Sequence, residues 1–279
     1  MSELPQVLYH YTSLETLALI LTNKTICFNT LLNVDDIDEA ETSDLGLFGK
    51  YVYVSCWTDE SAESIAMWQM YTPNMHGVRI KLPVFPFKKY SYKRGELHCT
   101  EDTSSYINLK KLYEENKASI VPDLPKLIPV TYTTDEALIR PKVRYGDSLE
   151  ELNDVADSKF SKNQSSTVRY DLANLGKFKN DVWRFQREWR YWIPIAPWGL
   201  KEAESADIDT HINLVRRLEN EGTPPPYERF FLELSDDAIQ QMEVIFGPRM
   251  TEAEKILAKH LLRGFGLDGK WRDRSLRIR

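Results

Sequence analysis

The chain is 279 residues long with 42% hydrophobic and 28% charged residues, enough to bury one large core or two small ones. Its net charge of -6 argues against indiscriminate nucleic-acid binding, no apolar run approaches the roughly 20 residues that cross a bilayer, and the Met-Ser-Glu-Leu-Pro start lacks the basic-then-apolar pattern of a secretory signal. Cys27, Cys56 and Cys99 form an odd, widely spaced trio without metal-ligand spacing, so a reduced, cytoplasmic chain with no membrane association is expected.

In chain order, residues 7–11 have the composition of a strand. Ser13 is placed to cap a helix whose Leu14, Leu17, Ala18 and Leu21 recur at helical spacing, and Asn23-Lys24 ends it. Ile26-Cys27-Phe28 makes a short strand. The stretch 33–44, crowded with Asp35, Asp36, Asp38, Glu39, Glu41 and Asp44, reads as an exposed loop or a poorly packed helix. Residues 51–58 suit a strand, and Ser61 is placed to cap a short helix carrying Ile65, Trp68 and Tyr71. After a Thr72-Pro73-Asn74 turn, residues 77–82 form another strand.

Residues 110–117 suit a helix, 128–133 a strand and 149–160 a charged helix, whereas 161–167 has no periodicity and is expected to be mobile. Residues 199–222 are polar and helical, closed by the rigid Pro224-Pro225-Pro226. Beyond it, a compact unit at about 227–279 reads strand (230–234), helix (236–241), strand (243–246), a Gly247-Pro248 turn, and a helix capped by Thr251. The expected fold class is α+β, in a single domain with helical insertions. From Arg79 to Arg94 the charges are all basic, and the carboxy terminus is basic again at Lys270, Arg272, Arg274, Arg277 and Arg279. Such runs either attract the phosphates of a dinucleotide or RNA, or are solvated faces.

Three segments carry candidate chemistry. His10 ends an apolar strand, where an imidazole either faces a cleft or plays a structural part, with the hydrogen-bonding groups of Tyr11 and Thr12 beside it. Trp57, Trp68 and Tyr71 offer flat π surfaces that either stack on a base or pyridinium or fill a core; Tyr71, next to a turn, is the better placed for stacking. Ser55 shares a strand face with Trp57, and Cys56 takes the other. Glu188 lies between Trp183-Arg184-Phe185 and Tyr191-Trp192-Ile193. If 185–195 is a strand, Gln186, Glu188 and Arg190 share one face, either as a positioned carboxylate or as a structural ion pair. No metal site is expected: histidines 10, 76, 98, 211 and 260 are unpaired in sequence, and residues 35–39 lack the glycine of a calcium loop. A glycine-rich phosphate loop is also missing.

Tyr9-His10-Tyr11-Thr12, Ser55-Cys56-Trp57-Thr58, Met67-Trp68-Gln69-Met70-Tyr71, His76-Gly77-Val78, the Trp183, Glu188 and Arg190 spacing, and the tail from Ala238-Ile239 to Arg249 together resemble a broadly distributed bacterial family of proteins of unknown function. That family is similar to a distant, His–Tyr–Glu branch of the ADP-ribosyltransferases. The resemblance implies an ADP-ribosyltransferase-like split, mixed or antiparallel β-sheet core, with NAD as substrate and no metal. By this resemblance His10 would bind the cofactor ribose, Tyr71 would stack near nicotinamide, and Glu188 would be the catalytic carboxylate. Tyr11, Thr12, Ser55, Trp57 and Trp68 would complete the NAD site, and Gln186 and Arg190 would face the acceptor.

Loss of nicotinamide leaves an oxocarbenium-like sugar, whose charge a carboxylate beside the ribose stabilises. The activity implied is NAD-dependent mono-ADP-ribosyl transfer to a macromolecule, nucleic acid or protein, by a bacterial toxin or anti-phage effector with a neutralising antitoxin as partner. An NAD glycohydrolase and an inactive nucleotide- or partner-binding protein are the alternatives. Two departures stand out: the acidic stretch 33–39 is longer than the family's Asn-Asp-Pro-x-Glu, and Trp57, Trp68 and Tyr71 compete for the stacking place.

Overall fold

The computed structural model describes residues 4–121, 123–151, 167–204, 208–273 and 276. The helix expected at 149–160 and the run 161–167 fall almost wholly outside them. Aromatic and β-branched runs make the strands: β1 (Val7–Thr12), β2 (Thr25–Thr30), β3 (Val52–Thr58), β4 (Val78–Pro83), β5 (Tyr90–Tyr92), β6 (Thr103–Ser105), β7 (Lys126–Pro129) and β8 (Thr131–Thr133). They continue with β9 (Arg144–Gly146), β10 (Val168–Tyr170), β11 (Phe178–Asn180), β12 (Glu188–Pro194), β13 (Arg229–Glu233), β14 (Glu243–Phe246) and β15 (Trp271–Arg272). The main helices are α1 (Leu14–Asn23), α2 (Ile65–Tyr71), α3 (Leu109–Glu115), α4 (Ile208–Glu219), α5 (Asp236–Gln240) and α6 (Glu252–Gly264).

Among the described residues, nine strands form one sheet, in the order β13-β2-β3-β1-β4-β14-β15, with β12 against β3 and β7 beyond it. Its pairings are antiparallel except β14 with β15; β8 and β11 form a separate parallel pair. The fold is therefore mixed α+β. The sheet forks at β3. On one edge β12 follows β3 from Val52 to Thr58; on the other, β2 takes the start (Asn29 to Val54) and β1 touches only the end (Tyr9 to Thr58).

Apolar faces set the packing. Leu17, Ile20 and Leu21 of α1 join Leu8, Phe28, Val52, Ile80 and Ile193 in the main core. Ser13 caps α1 by accepting from the Thr16 amide at 3.1 Å, and Lys24 at φ 51° ends it in the left-handed region. A smaller cluster of Tyr11, Met67, Trp68, Met75 and Ile245 lies under α2. The two strands expected in the carboxy-terminal stretch do not pair with each other: β13 extends β2, and β14 extends β4 on one side and pairs with β15 on the other.

Several expectations are corrected. The acidic stretch is neither exposed nor poorly packed throughout: it forms a 3-10 turn at Ile37–Ala40 in which Glu39 is wholly buried, because two cations meet it inside. Ser64, not Ser61, caps α2, since the Arg79 guanidinium binds the carbonyls of Glu60 and Ser61 and keeps that segment out of the helix. The strand expected at 128–133 breaks at Val130, whose amide donates to the Glu188 carbonyl while β8 turns away to β11. Of the two readings of the basic run 79–94, the structure fits a solvated face: Arg79 is buried under Tyr9, its guanidinium 3.8 Å from the ring centroid, Lys88, Lys89, Lys93 and Arg94 are exposed, and Lys81, Lys88 and Lys93 pair with Glu243, Glu233 and Asp102.

Gly77 lets β4 start against the end of β1. A Cβ there would stand 2.5 Å from the Thr12 carbonyl oxygen and 2.6 Å from Thr72 Cβ. Gly77→Ala is expected to overpack this junction and destabilise the protein by about 1–3 kcal/mol. The urea midpoint should fall with an unchanged slope; an unchanged midpoint would mean that the two strands do not meet this closely in solution.

Candidate functional site

The fork brings three strand ends together. Thr58 pairs with Tyr9 on one side and with Glu188 on the other, so β1 and β12 flank the end of β3, about 9–10 Å apart across two strand spacings. A small cavity of about 70 Å3 opens there. Tyr9, His10 and Tyr11 come from β1, Cys56 and Trp57 from β3, Met67 and Tyr71 from α2, and Gln186 and Glu188 from the entry to β12. Met67 and Tyr71 are four residues apart and share a helix face, whereas Trp68 between them turns into the core.

Each side chain is held in place. His10 Nδ1 lies 2.9 Å from the Cys56 carbonyl oxygen, which can only accept, so this nitrogen carries the proton. Burial lowers the imidazole pKa against the smaller effect of that hydrogen bond. The ring is then neutral at pH 7 with Nε2 as a bare acceptor. Its centroid lies 5.0 Å from that of Trp57, whose Nε1 donates to Ser55 Oγ at 3.0 Å. The Tyr71 hydroxyl donates to the Asp35 carboxylate. Having one proton, it can only accept from Gln186 Nε2, which fixes the orientation of that amide. Gln186 Oε1 is left buried without a partner, in a side chain only 2% exposed on the cavity wall.

Glu188 is anchored most heavily. Its amide donates to the Tyr132 hydroxyl at 2.8 Å, and the preceding carbonyl, of Arg187, accepts from Thr58 Oγ1 at 3.0 Å. Oε1 accepts from Arg190 Nε at 2.6 Å, and Oε2 accepts from Arg190 Nη2 at 3.1 Å and Lys179 Nζ at 3.3 Å. Arg190 also grips Glu39 through both terminal nitrogens and donates to the Gly176 carbonyl at 2.8 Å, while Lys179 reaches Glu39 at 3.3 Å. Burial alone would raise the Glu188 carboxyl, but the Arg190 and Lys179 charges override it and hold the group down to about 2. The carboxylate is ionised at neutral pH. Burial pushes the neighbouring Cys56 thiol well up, aided by Glu188, so it stays protonated.

Six of the residues expected at a site line one cavity: His10, Tyr11, Trp57, Tyr71, Gln186 and Glu188. Four do not. Trp68 is wholly buried and donates to Glu63, so it is a core residue. Thr12 is buried at the junction with Gly77, and Ser55 acts on the site only by orienting Trp57. Arg190 faces no acceptor: it is enclosed, with its guanidinium spent on two carboxylates and a carbonyl. Gln186 is not on the Glu188 strand, either. It ends the 3-10 turn Asp181–Gln186, and Arg187 at φ 44° swings it back beside Glu188. Asp35, Glu39, Cys56 and Lys179 were missed. The acidic run hides the first two, alternation puts Cys56 on the face opposite Ser55 and Trp57, where it meets Glu188, and nothing around Lys179 marks it as buried.

The profile of a family described as "Protein of unknown function (DUF2971)" matches residues 67–191, from α2 into β12. That stretch includes Met67, Tyr71, Lys179, Gln186, Glu188 and Arg190; His10 and Glu39 precede it. No curated protein and no solved structure matches the chain. Among the described residues, no His, Cys, Asp and Glu side chains group as metal ligands, and no helix is long and apolar enough to cross a membrane.

Because the folded pKa of Glu188 is about 2 against an ordinary 4.5, the folded state binds fewer protons than the unfolded one below pH 4.5. Its stabilising contribution is complete above pH 4.5 and is lost as the pH falls toward 2. Burial raises Glu39 and so acts in the opposite sense; the Glu188 charge adds to that rise, so Glu188→Gln removes part of it and the Glu39 effect offsets only part of the Glu188 one. The stability difference between the two proteins should therefore shrink across pH 4.5 to 2. A difference that does not vary with pH would mean that Arg190 and Lys179 do not hold the carboxylate.

Proposed function

We propose that this protein transfers ADP-ribose from NAD to a macromolecular acceptor, with Glu188 as the catalytic carboxylate and His10 as a ribose-binding group. The observation that carries this reading is that His10 and Glu188, from opposite parts of the chain, line one aromatic-walled cavity. The fork of the sheet at β3 supports the split-sheet architecture that the resemblance to ADP-ribosyltransferases implies.

The residues present fit the nicotinamide–ribose end of NAD. The cavity, about 70 Å3, is well below the size of ligand sites, so its walls would have to part to admit one end of a dinucleotide. Among the described residues its lining includes no Lys or Arg, so the pyrophosphate would lie outside it. Trp57 and Tyr71 supply flat walls for a pyridinium ring. The bare Nε2 of His10 accepts a ribose hydroxyl, and the unpartnered Gln186 Oε1 accepts a further N–H or O–H. As the bond to nicotinamide lengthens, positive charge develops on the ribose, and the ionised Glu188 stabilises it without a proton transfer. Rotation of this carboxylate is prevented by Arg190 and Lys179, so little reorganisation is needed at the transition state.

A biological role as a toxin or anti-phage effector, with an antitoxin as partner, rests on the resemblance alone. The acceptor, protein or nucleic acid, is open to one experiment. On incubation with NAD labelled in its adenylate half, label should appear on macromolecules and nicotinamide should be released. Glu188→Gln should lower turnover by about 10²–10³ while keeping the fold. Free ADP-ribose without labelled macromolecules would make the protein a hydrolase. Wild-type turnover in a folded Glu188→Gln variant would remove Glu188 from the chemistry.

A further inference from the structure

The acidic stretch supplies a carboxylate that the proposed chemistry has not used. Glu39 is wholly buried behind Glu188, on the side away from the cavity, and the two acids share the same two cations. Arg190 bridges them, with Nε and Nη2 on Glu188 and both terminal nitrogens on Glu39. Lys179 Nζ stands 3.3 Å from an oxygen of each, and 4.8 Å from the Trp183 ring centroid.

The charge count decides what Glu39 does. Two carboxylates and two cations make a neutral group. Remove Glu39, and Glu188 lies between a guanidinium and an ammonium with nothing opposing them. The site would then present a net positive charge to the cavity, where Coulomb interactions are poorly screened. A site that stabilises positive charge on a sugar cannot work with that sign.

We infer that Glu39 is a positioning residue of the cavity: its buried charge holds Arg190 and offsets one of the two cations on Glu188, leaving the Glu188 carboxylate negative toward the substrate. The inference rests on the proposed ADP-ribosyl transfer only for its kinetic consequence. The electrostatic one can be read without turnover, because Cys56 lines the same cavity beside Glu188. Burial does most to raise the pKa of this thiol; of the charged groups, Glu188 raises it further and Arg190 and Lys179 lower it. Tyr71 shares the wall, and the Cys56 carbonyl is bonded to the neutral His10.

The test uses the full chain with Cys27→Ser and Cys99→Ser, so that Cys56 is the remaining thiol. Its rate of alkylation by iodoacetamide is followed against pH, alongside steady-state kinetics with NAD. Glu39→Gln should lower the Cys56 titration midpoint, since Arg190 and Lys179, which lower it, are then less offset. It should also lower kcat about tenfold or more, with KM for NAD nearly unchanged. Adding Lys179→Gln to Glu39→Gln restores neutrality and should recover much of both, which a merely structural loss would not.

Should Glu39→Gln alone not fold, the neutral double variant is compared with Lys179→Gln. The double variant should then show the more acidic Cys56 and the lower kcat. An unchanged Cys56 titration in folded Glu39→Gln, or no recovery in the double variant, would overturn the inference. A wild type that does not consume NAD would overturn the proposed function and leave the thiol titration to decide the role of Glu39.

Discussion

The buried ion group of Glu188, Arg190, Glu39 and Lys179 is the constraint on which the site depends. Taking four charges out of water is costly, and only dense mutual pairing offsets it. Here the pairing is dense: Arg190 alone contacts two carboxylates and a carbonyl. Removing one partner from such a group costs about 3–5 kcal/mol, because the remaining charge is stranded. A well-packed apolar substitute would stabilise the fold as well or better. The charges therefore make most sense as a device for keeping one carboxylate ionised and fixed at the edge of a cavity.

The fold serves that device through strand register. Glu188 is the first residue of β12, pinned by Tyr132 on one side and, through the carbonyl of Arg187, by Thr58 on the other. The same Thr58 pairs with Tyr9, which sets His10 beside the end of β3. Because β1 meets β3 only at its tip, the sheet opens there and α2 closes the gap with Met67 and Tyr71. The wall carries its own network, Asp35 to Tyr71 to Gln186, which leaves one amide oxygen without a partner. An orphaned acceptor in a site this enclosed is costly unless a ligand supplies a donor.

Much of this was legible in the sequence. Strands β1 to β4, helix α1 and the Thr251 cap followed from local composition and periodicity, because their apolar faces and capping side chains act over a few residues. Glu188 stood out through its aromatic neighbours, and Tyr71 through its position before a turn. What failed was long-range. The burial of Glu39 depends on Arg190, far along the chain, and no local pattern announces it. Alternation placed Gln186 on a strand that begins two residues later, since a left-handed Arg187 was not foreseen. The sequence left the basic run open between a phosphate surface and a solvated face, because its acidic partners come from residues far away in sequence, such as Glu233 and Glu243.

A structure of the Glu188→Gln protein saturated with NAD addresses the central claim most directly, because the bound dinucleotide marks its own site. The nicotinamide ring should lie against Trp57 or Tyr71, with ribose hydroxyls within hydrogen-bond reach of His10 Nε2 and of the side chain at position 188. NAD seated elsewhere, or a cavity in which neither residue touches it, would contradict the account.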